Sequence, residues 1–308
     1  MMSRLELERA VKDLLRGRLL AGRDLSEQEP FLIIEQGYRL AKLPRPSRLE
    51  WVTSPTSEVP AAVSERALGL AEKRAEGALL QYLLGRTEFA GLELAVGPGV
   101  LVPRPETEFC VDQAVADLRS KFEKSVRRSP VGLEIGLGSG AISLALLKTF
   151  SELRMTATEW SVEARAWAEI NARATGLEER LTIVSTGHAR DVFESIERRE
   201  SPAFDFLIAN PPYLSVGDQI DESVLVHEPH AALFPPSEPL FFYQVIASQA
   251  GRMLRPGAPI YLEIPHERAA EVRALFEKED YIVAVENDLT GRPRFLRAGR
   301  QEHGHGSV

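Results

Sequence analysis

The chain contains 308 residues, of which 44% are hydrophobic and 27% charged, and it carries a formal net charge of −8 at pH 7. These proportions are typical of a globular protein, and the acidic balance argues against extended binding to duplex DNA, where Lys and Arg neutralise phosphates. The single cysteine, Cys110, excludes an intrachain disulfide. The sequence shows neither an apolar signal segment nor a stretch of membrane-spanning length. These features and the single cysteine predict a cytoplasmic protein with no membrane partner.

The first 84 residues are predicted to form a small helical domain. Apolar residues recur at helical spacing over 5–19 and again over 31–40, which is typical of helices that bury one face. The stretch 43–60 is rich in Pro, Ser and Thr and is predicted to be a loop. A further helix is predicted over 61–73. We therefore assign residues 1–84 to an N-terminal helical domain.

A β-hairpin linker is predicted for residues 85–105. Two short apolar stretches, over 88–96 and 100–102, flank the turn sequence Gly97-Pro98-Gly99. Glycine and proline favour a reversal of the chain at such a position.

Residues 106–300 are predicted to form an α/β domain, followed by a polar tail over 301–308. The domain begins with a helix over 106–118 and a polar connection over 121–130. Strands and helices then alternate, which predicts a mostly parallel sheet covered on both faces, with ligands at the carboxyl ends of the strands. The last two strands are predicted to form a hairpin at one edge. In chain order we expect strand 131–136, helix 140–149, strand 154–159, helix 161–174, strands 181–185 and 204–209, helix 240–254, strand 259–264, helix 267–278, and strands 281–287 and 294–297.

A glycine-rich turn, Gly136-Leu137-Gly138-Ser139-Gly140, joins the first of these strands to an apolar helix. Glycines let the backbone pass close to a ligand, and the helix start offers free N–H groups. No Gly-Lys-Ser/Thr sequence follows, which excludes a P-loop. Glu159 ends the next strand about twenty residues beyond the turn and can accept hydrogen bonds from ribose hydroxyls. With Glu134 just ahead of the glycines, the spacing favours S-adenosylmethionine over a dinucleotide; a purely structural turn is the alternative.

The sequence Asn210-Pro211-Pro212-Tyr213 directly follows the apolar stretch 204–209. Two prolines cannot continue a strand because they donate no N–H and fix φ. The strand should therefore end abruptly, with an amide side chain and an aromatic ring beside free carbonyl acceptors. Such a turn suits an amide or amino group that carries N–H donors, although Asn-Pro is also a common structural turn.

These two stretches resemble known methyltransferase motifs. Residues 134–142 are similar to motif I of class I S-adenosylmethionine-dependent methyltransferases. The tetrad Asn210-Pro211-Pro212-Tyr213 is similar to the motif found in enzymes that methylate amino groups. From about residue 79 to 300 the chain is identified as a member of the HemK/PrmC family of protein-(glutamine-N5) methyltransferases. The further stretches that carry this resemblance are 82–89, 100–108, 227–234 and 289–294.

The resemblance implies a Rossmann-like α/β fold with a mostly parallel seven-stranded sheet, and S-adenosyl-L-methionine as cofactor. It implies methyl transfer to the side-chain amide of a glutamine, in the Gly-Gly-Gln motif of a peptide chain release factor, which would be the protein partner. Residues 1–84 carry no catalytic constellation, and their helices have apolar faces that need a partner or the main domain, so we expect this domain to dock the protein substrate. We expect a monomer that binds no nucleic acid directly. The implied cofactor-binding residues are Glu134, Gly136, Leu137, Gly138, Ser139, Gly140, Glu159, Val192 and Asn210.

The expected catalytic residues are Asn210, Pro211, Pro212 and Tyr213. A primary amide nitrogen is a poor nucleophile, and no base suited to deprotonate it is evident in the sequence. We therefore expect the Asn210 side-chain oxygen and the Pro211 carbonyl to hold the nitrogen by its two N–H groups. Positioning of this kind can supply most of the rate. Tyr213 would stack on the amide plane and exclude water.

Several alternatives stay open from the sequence. The target could be a glutamine of a large-subunit ribosomal protein, or the enzyme could methylate amino groups of nucleic acids; a non-catalytic S-adenosylmethionine-binding module is the third possibility. His227 and His230 are expected to pack in a loop, because no further Cys or His lies near them to complete a metal site. Trp160 either flanks the adenine or packs in the protein.

Overall fold

A computed structural model describes residues 2–18, 26–124, 129–188, 191–197 and 203–300. The chain separates into two compact units. The first comprises Met1–Arg86 with Asp221–His227, and the second comprises Thr87–Ile220 with Glu228–Val308. The predicted tail over 301–308 lies outside the described residues, as do residues 125–128 of the predicted polar connection. Among the described helices, none has the length and apolar character needed to span a membrane.

The first unit is built from helices around one apolar core. The buried side chains of this core come from four helices and the short strand β2, and the largest are Tyr38 and Trp51. Each helix buries one apolar stripe, as the helical spacing predicts. In chain order its elements are β1 (Met2–Ser3), α1 (Arg4–Arg18), α2 (Glu29–Ala41), α3 (Arg48–Thr53), β2 (Glu58–Val59), α4 (Ala61–Ala75) and α5 (Leu80–Leu84).

The predicted loop over 43–60 is wrong, because this stretch contains α3 and β2. Ser47 and Glu50 form a reciprocal cap at the start of α3: the Glu50 N–H donates to Ser47 Oγ over 3.2 Å, and the Ser47 N–H donates to Glu50 Oε2 over 2.7 Å. Trp51 is 5% exposed and meets the ring of Tyr38 edge-on. The capping sequence Ser-x-x-Glu signals this helix start more strongly than the nearby prolines signal a loop.

The hairpin linker is present, but its turn was placed wrongly. Its strands are β3 (Arg86–Phe89) and β4 (Leu92–Ala95), joined by Ala90-Gly91. Both turn residues have positive φ, 48° and 68°, as a two-residue hairpin turn requires. Alanine rarely adopts this conformation; here the Ala90 N–H donates to Glu108 Oε1 over 2.7 Å, which holds the turn. Residues 97–102 form no strand.

The rest of the second unit follows the predicted alternation with small shifts of the ends. The main difference is α6, which continues to Lys124 and replaces the start of the predicted polar connection. The short helices α9, α10 and α11 were not predicted, because four to six residues show no clear period. The elements are α6 (Pro105–Lys124), β5 (Val131–Ile135), α7 (Ala141–Thr149), β6 (Arg154–Glu159), α8 (Val162–Thr175), β7 (Leu181–Ser185), α9 (Val192–Glu197), β8 (Phe206–Ala209), α10 (Glu222–His227, in the first unit), α11 (His230–Leu233), α12 (Phe241–Gln249), β9 (Ile260–Glu263), α13 (Ala269–Lys278), β10 (Ile282–Asn287) and β11 (Pro293–Gly299).

The predicted mostly parallel seven-stranded sheet is confirmed. Its strand order is β7-β6-β5-β8-β9-β11-β10. The four pairs from β7 to β9 are parallel, whereas β11 pairs antiparallel with β9 and with β10. The predicted C-terminal hairpin therefore forms one end of the sheet, with β10 at the edge. Chain order reverses between β5 and β8, which is where open α/β sheets bind ligands.

Candidate active site

A cleft opens in the second unit at the carboxyl ends of β5, β6 and β8. Within the part of the chain that the structure describes, the residues of its wall lie between positions 99 and 242. The predicted site residues that line it are Gly136, Gly138, Glu159, Val192, Asn210, Pro211 and Pro212.

The glycine turn approaches the cleft through two of its three glycines. Gly136 and Gly138 line the cleft and have φ values of 79° and 56°, a conformation that side-chain-bearing residues rarely adopt. The N–H groups of Gly136 and Leu137 donate to the Thr158 carbonyl over 3.1 and 3.0 Å. The turn is therefore held against the end of β6 and is shaped before any ligand arrives.

The remaining residues of the turn lie behind the cleft wall. Leu137 is 3% exposed and packs against Ala157 and Ala168. The Ser139 carbonyl accepts a hydrogen bond from Asn171 Nδ2 over 2.9 Å, and Gly140 begins helix α7 as its cap. Among the cofactor-binding predictions, these residues therefore support the turn and do not line the cleft.

Glu159 lies at the end of β6 and lines the cleft. Its Oε2 accepts a hydrogen bond from the Gly138 N–H over 2.9 Å, and its Oε1 accepts from the N–H groups of Trp160 and Ser161, each over 2.9 Å. An ionised carboxylate has about four acceptor positions. Glu159 thus organises the backbone around it and keeps capacity for a ligand hydroxyl.

Glu134 does not line the cleft. It is 1% exposed, and its Oε2 accepts hydrogen bonds from the Ser143 N–H, over 3.1 Å, and from the Ser143 hydroxyl. Burial raises the pKa of Glu134 to about 8, against the opposing effect of the Ser143 hydrogen bonds. The carboxyl is therefore mostly protonated at neutral pH, and it fastens the start of α7 beneath the glycine turn.

The Asn-Pro-Pro-Tyr sequence begins where the parallel pairing of β8 with β9 ends, at Ala209. Asn210, Pro211 and Pro212 line the cleft, whereas Tyr213 is partly buried against the apolar core of the second unit. Burial, reinforced by the charge of Glu263, raises the pKa of Tyr213 to about 12. The phenol therefore keeps its proton at neutral pH and can donate a hydrogen bond but not act as a base.

Two residues next to Asn210 were missed as site residues in the sequence. Asn210 Nδ2 donates to Thr107 Oγ1 over 2.9 Å, and Thr107 Oγ1 donates to Glu263 Oε2 over 2.7 Å. Glu263 is 4% exposed at the end of β9. Burial raises its pKa to about 7, opposed by the Thr107 hydrogen bond and by Arg294, while Glu106 raises it further and Arg104 lowers it. A carboxylate ending the otherwise apolar strand Ile260-Tyr261-Leu262 was the available signal.

Other parts of the wall are apolar. Trp160 lines the cleft and is 42% exposed, so it does not pack in the core. The segment 229–232 contributes Pro229, Ala231 and Ala232. Glu228 anchors this segment, because its carboxylate accepts the Val102 N–H over 3.0 Å and pairs with Arg104.

The ring of His230 contacts that of Phe234 edge-on. Within the described ranges, no group of three or more His, Cys, Asp and Glu side chains is arranged to hold a metal ion.

Known proteins are similar in sequence to this chain over most of its length. The family described as "Methyltransferase small domain" matches residues 108–231. A release factor glutamine methyltransferase of Bacteroides thetaiotaomicron is 36% identical over 225 residues, which cover 72% of this chain and 76% of the relative. One from Mycolicibacterium smegmatis is 34% identical over 255 residues, covering 82% and 84%. The chain belongs to the release factor glutamine methyltransferase family.

Solved structures agree with this family in fold. The catalytic domain of human METTL16, in complex with an RNA hairpin, superimposes with a TM-score of 0.53 at 17% identity, covering 78% of this chain and 84% of that one. The N-terminal domain of human METTL16 in complex with SAH gives a TM-score of 0.51 at 18% identity, covering 75% and 82%. The predicted class I methyltransferase fold is thus confirmed for this member of the release factor glutamine methyltransferase family.

Proposed function

We propose that this protein transfers a methyl group from S-adenosyl-L-methionine to the side-chain amide nitrogen of a glutamine in the Gly-Gly-Gln motif of a peptide chain release factor. Membership of the release factor glutamine methyltransferase family supports the reaction and the substrate. One structural observation carries the assignment: a single cleft is lined both by the glycine turn with Glu159 and by Asn210 with its two prolines. A methyl donor and an amide acceptor can therefore meet there.

The chemistry of the residues that line the cleft fits the cofactor. S-adenosylmethionine supplies a methyl group on a sulfonium, which is an excellent leaving group. We assign Glu159 to accept from a ribose hydroxyl, and the bare backbone of Gly136 and Gly138 to allow close approach. Val192 and Trp160 provide apolar surface on the same wall, as a flat adenine ring requires. Glu134, Leu137, Ser139 and Gly140 act from behind, by holding the turn in shape.

Asn210 and Pro211 are assigned to hold the substrate amide. Two carbonyl oxygens, Asn210 Oδ1 and the Pro211 main-chain oxygen, can accept the two N–H groups of a glutamine side chain. These two acceptors would fix the nitrogen in one orientation for in-line attack on the methyl carbon of bound S-adenosylmethionine. A C–N bond would form as the C–S bond breaks to leave a neutral thioether, and the N–H proton would pass to water. Orientation of the reacting groups lowers the barrier without a base. Pro212 rigidifies the turn, and Tyr213 supports it.

Residues 1–84 are assigned to docking the release factor. The described residues that line the cleft lie between positions 99 and 242, so none of them belongs to the N-terminal helices, and we assign those helices to another part of the release factor. A protein substrate needs such contacts, because binding energy from remote parts orients the reacting group. Translation termination places the reaction in the cytoplasm, and we propose that the enzyme acts as a monomer.

The test uses purified protein, methyl-labelled S-adenosylmethionine and purified unmethylated release factor. Mass spectrometry should place one methyl group on the glutamine of the Gly-Gly-Gln motif, and release factor carrying Ala at that glutamine should stay unlabelled. The same incubation with extract from cells lacking the enzyme should label the release factor band. Label on a ribosomal protein or on nucleic acid instead would refute the proposed substrate.

A further inference from the structure

A buried chain of two hydrogen bonds lies directly behind the catalytic amide. It runs from Asn210 through Thr107 to Glu263, with donor–acceptor distances of 2.9 and 2.7 Å. Thr107 and Glu263 are 5% and 4% exposed. They come from separate elements of the second unit, the first turn of α6 and the end of β9, and Asn210 follows the end of β8. Neither Thr107 nor Glu263 lines the cleft.

The direction of these bonds follows from the number of protons available. A threonine hydroxyl has one proton to donate and can accept in return, and an ionised carboxylate only accepts. If Thr107 gives its proton to Glu263, its oxygen can take only a donor from Asn210. The Asn210 group that faces Thr107 must then be the NH₂, and Oδ1 is left as the acceptor. The oxygen and the NH₂ group of an amide are nearly equal in shape, so only their hydrogen-bond partners fix which of them faces the substrate.

We propose that Thr107 and Glu263 are positioning residues that orient the Asn210 amide so that its oxygen, and not its NH₂, receives the substrate nitrogen. This inference rests on the proposed glutamine methylation, because a substrate amide nitrogen presents N–H donors. An inverted Asn210 would set donor against donor and leave the nitrogen unheld. The two hydrogen bonds from Asn210 to Thr107 and from Thr107 to Glu263 therefore select for substrates that carry N–H donors, although neither Thr107 nor Glu263 touches the reacting atoms.

Glu263 is itself held in place from several sides. The Tyr243 hydroxyl donates to its main-chain carbonyl over 2.9 Å, and the Ile264 N–H donates to the Arg294 carbonyl over 2.9 Å. Arg294 is 8% exposed, and its charge favours the ionised form of Glu263. The Thr107 hydrogen bond favours the ionised form too, against burial, which is the larger effect and raises the pKa of Glu263 to about 7. Above this pH the Glu263 carboxylate accepts from Thr107, which is the condition for the two hydrogen bonds to run in one direction.

The test compares Thr107→Val, which keeps the shape but removes the hydroxyl, with Thr107→Ser, which keeps the hydroxyl. With release factor as substrate, Thr107→Val should lower kcat at least tenfold, while the cofactor Kd and the KM for release factor change less than twofold. Thr107→Ser should retain more than half of the wild-type kcat. Thr149→Val is the matched control, because the Thr149 hydroxyl donates to the Ala145 carbonyl of its own helix, over 2.9 Å.

Folding is checked by thermal denaturation of every variant. Should Thr107→Val not fold, Glu263→Leu is measured instead. This variant removes the acceptor of the Thr107 hydroxyl, so that this hydroxyl no longer has to face the Asn210 NH₂, and it should also lower kcat at least tenfold. A kcat within twofold of wild type for the folded variant, or a Thr107→Ser variant as slow as Thr107→Val, overturns the inference. A wild-type enzyme that does not methylate release factor would instead refute the proposed function.

Discussion

The Gly138 N–H donates to Oε2 of Glu159 over 2.9 Å, so the acidic residue that ends β6 holds the glycine turn that follows β5. Glu159 also accepts from the N–H groups of Trp160 and Ser161. The same carboxylate therefore shapes both sides of the cofactor end of the cleft. A ribose hydroxyl would add to a set of bonds that already exists, and the site needs little rearrangement to bind.

Replacing Glu159 by Gln should weaken cofactor binding. In the variant, the NH₂ group would face a backbone N–H that donates to the Glu159 carboxylate in the wild-type protein. The charge-assisted hydrogen bond to the ribose would also be lost, which would weaken cofactor binding by about 1.5–3 kcal/mol. This corresponds to a rise in Kd of roughly tenfold to a hundredfold. Calorimetry with S-adenosylhomocysteine measures it, with Glu169→Gln on the exposed face of α8 as control. An unchanged Kd would mean that the ribose binds elsewhere.

Asn210→Ala should separate binding from chemistry. The variant loses the proposed acceptor for the amide nitrogen, and Thr107 loses its donor, while the glycine turn and Glu159 are untouched. We expect cofactor Kd within about threefold of wild type and kcat lower by about 10²-fold or more, the scale seen when one preorganised hydrogen-bonding group is removed. Single-turnover labelling of release factor gives the rate, and Asn287→Ala on exposed β10 is the control. Near-normal turnover would remove the proposed mechanism.

Methyl transfer should decline as the pH falls through about 7. The pKa of Glu263 is raised to about 7 by burial, so below this pH its carboxyl becomes protonated and can donate to Thr107 instead of accepting. The Asn210 amide then loses its fixed orientation. Measured at saturating substrates between pH 6 and 8.5, kcat should rise with pH through this inflection. Glu263→Gln cannot titrate and keeps an acceptor oxygen, so its profile should lack the inflection; an identical profile in both proteins argues against Glu263 as its origin.

The sequence predicts the sheet and the cleft well because both depend on local patterns. Apolar runs such as β8 end in residues that cannot continue a strand, and the glycines after β5 mark a close approach. Parallel strands bring their carboxyl ends to one edge, so Glu159 and Asn210 can be placed together without coordinates. Thr107 and Glu263 are 156 residues apart in the chain, and no local period connects them. Their pairing needs the packing of α6 on β9.

Hairpin prediction fails for a related reason. Gly97-Pro98-Gly99 carries the stronger turn composition, yet the chain reverses at Ala90-Gly91, where the bond from Ala90 to Glu108 holds the turn. For Glu134, the sequence predicts the position next to the glycine turn but not the burial of its side chain. Its carboxylate was expected to meet the cofactor, and the side chain instead bonds Ser143 below the turn.

Burial of Glu134 should make stability depend on pH. Its pKa is raised from 4.5 to about 8 in the folded protein, so between these values the folded state binds a proton that the unfolded state has lost. The contribution is therefore fully present below pH 4.5 and is lost as the pH rises through about 8, with a slope approaching about 1.4 kcal/mol per pH unit.

Glu134→Gln removes this titration and can still accept the Ser143 N–H. The unfolding free energy of the variant, minus that of wild type, should increase by about 2–3 kcal/mol when the pH rises from 5.5 to 8. Urea denaturation at the two pH values measures the difference, with Glu123→Gln, at an exposed site on α6, as the control. Parallel pH curves for wild type and Glu134→Gln would mean that Glu134 is ionised in the folded protein.

The docking role of the N-terminal helices can be tested on α3. Leu49 and Val52 lie three residues apart, on one face of this helix, and are 73% and 69% exposed, so their replacement leaves the core intact. Covering such side chains with a partner would stabilise a complex by up to about 1.5–3 kcal/mol each.

The double variant Leu49→Ala/Val52→Ala should raise the KM for intact release factor about tenfold, with kcat and cofactor Kd unchanged. Ile282→Ala, which truncates a 61% exposed side chain on the edge strand β10, is the matched control. A short Gly-Gly-Gln peptide should be methylated poorly and equally by all forms, because it lacks the remote contacts that orient the amide. If the double variant methylates whole release factor with the wild-type KM, this face of α3 does not contact the substrate.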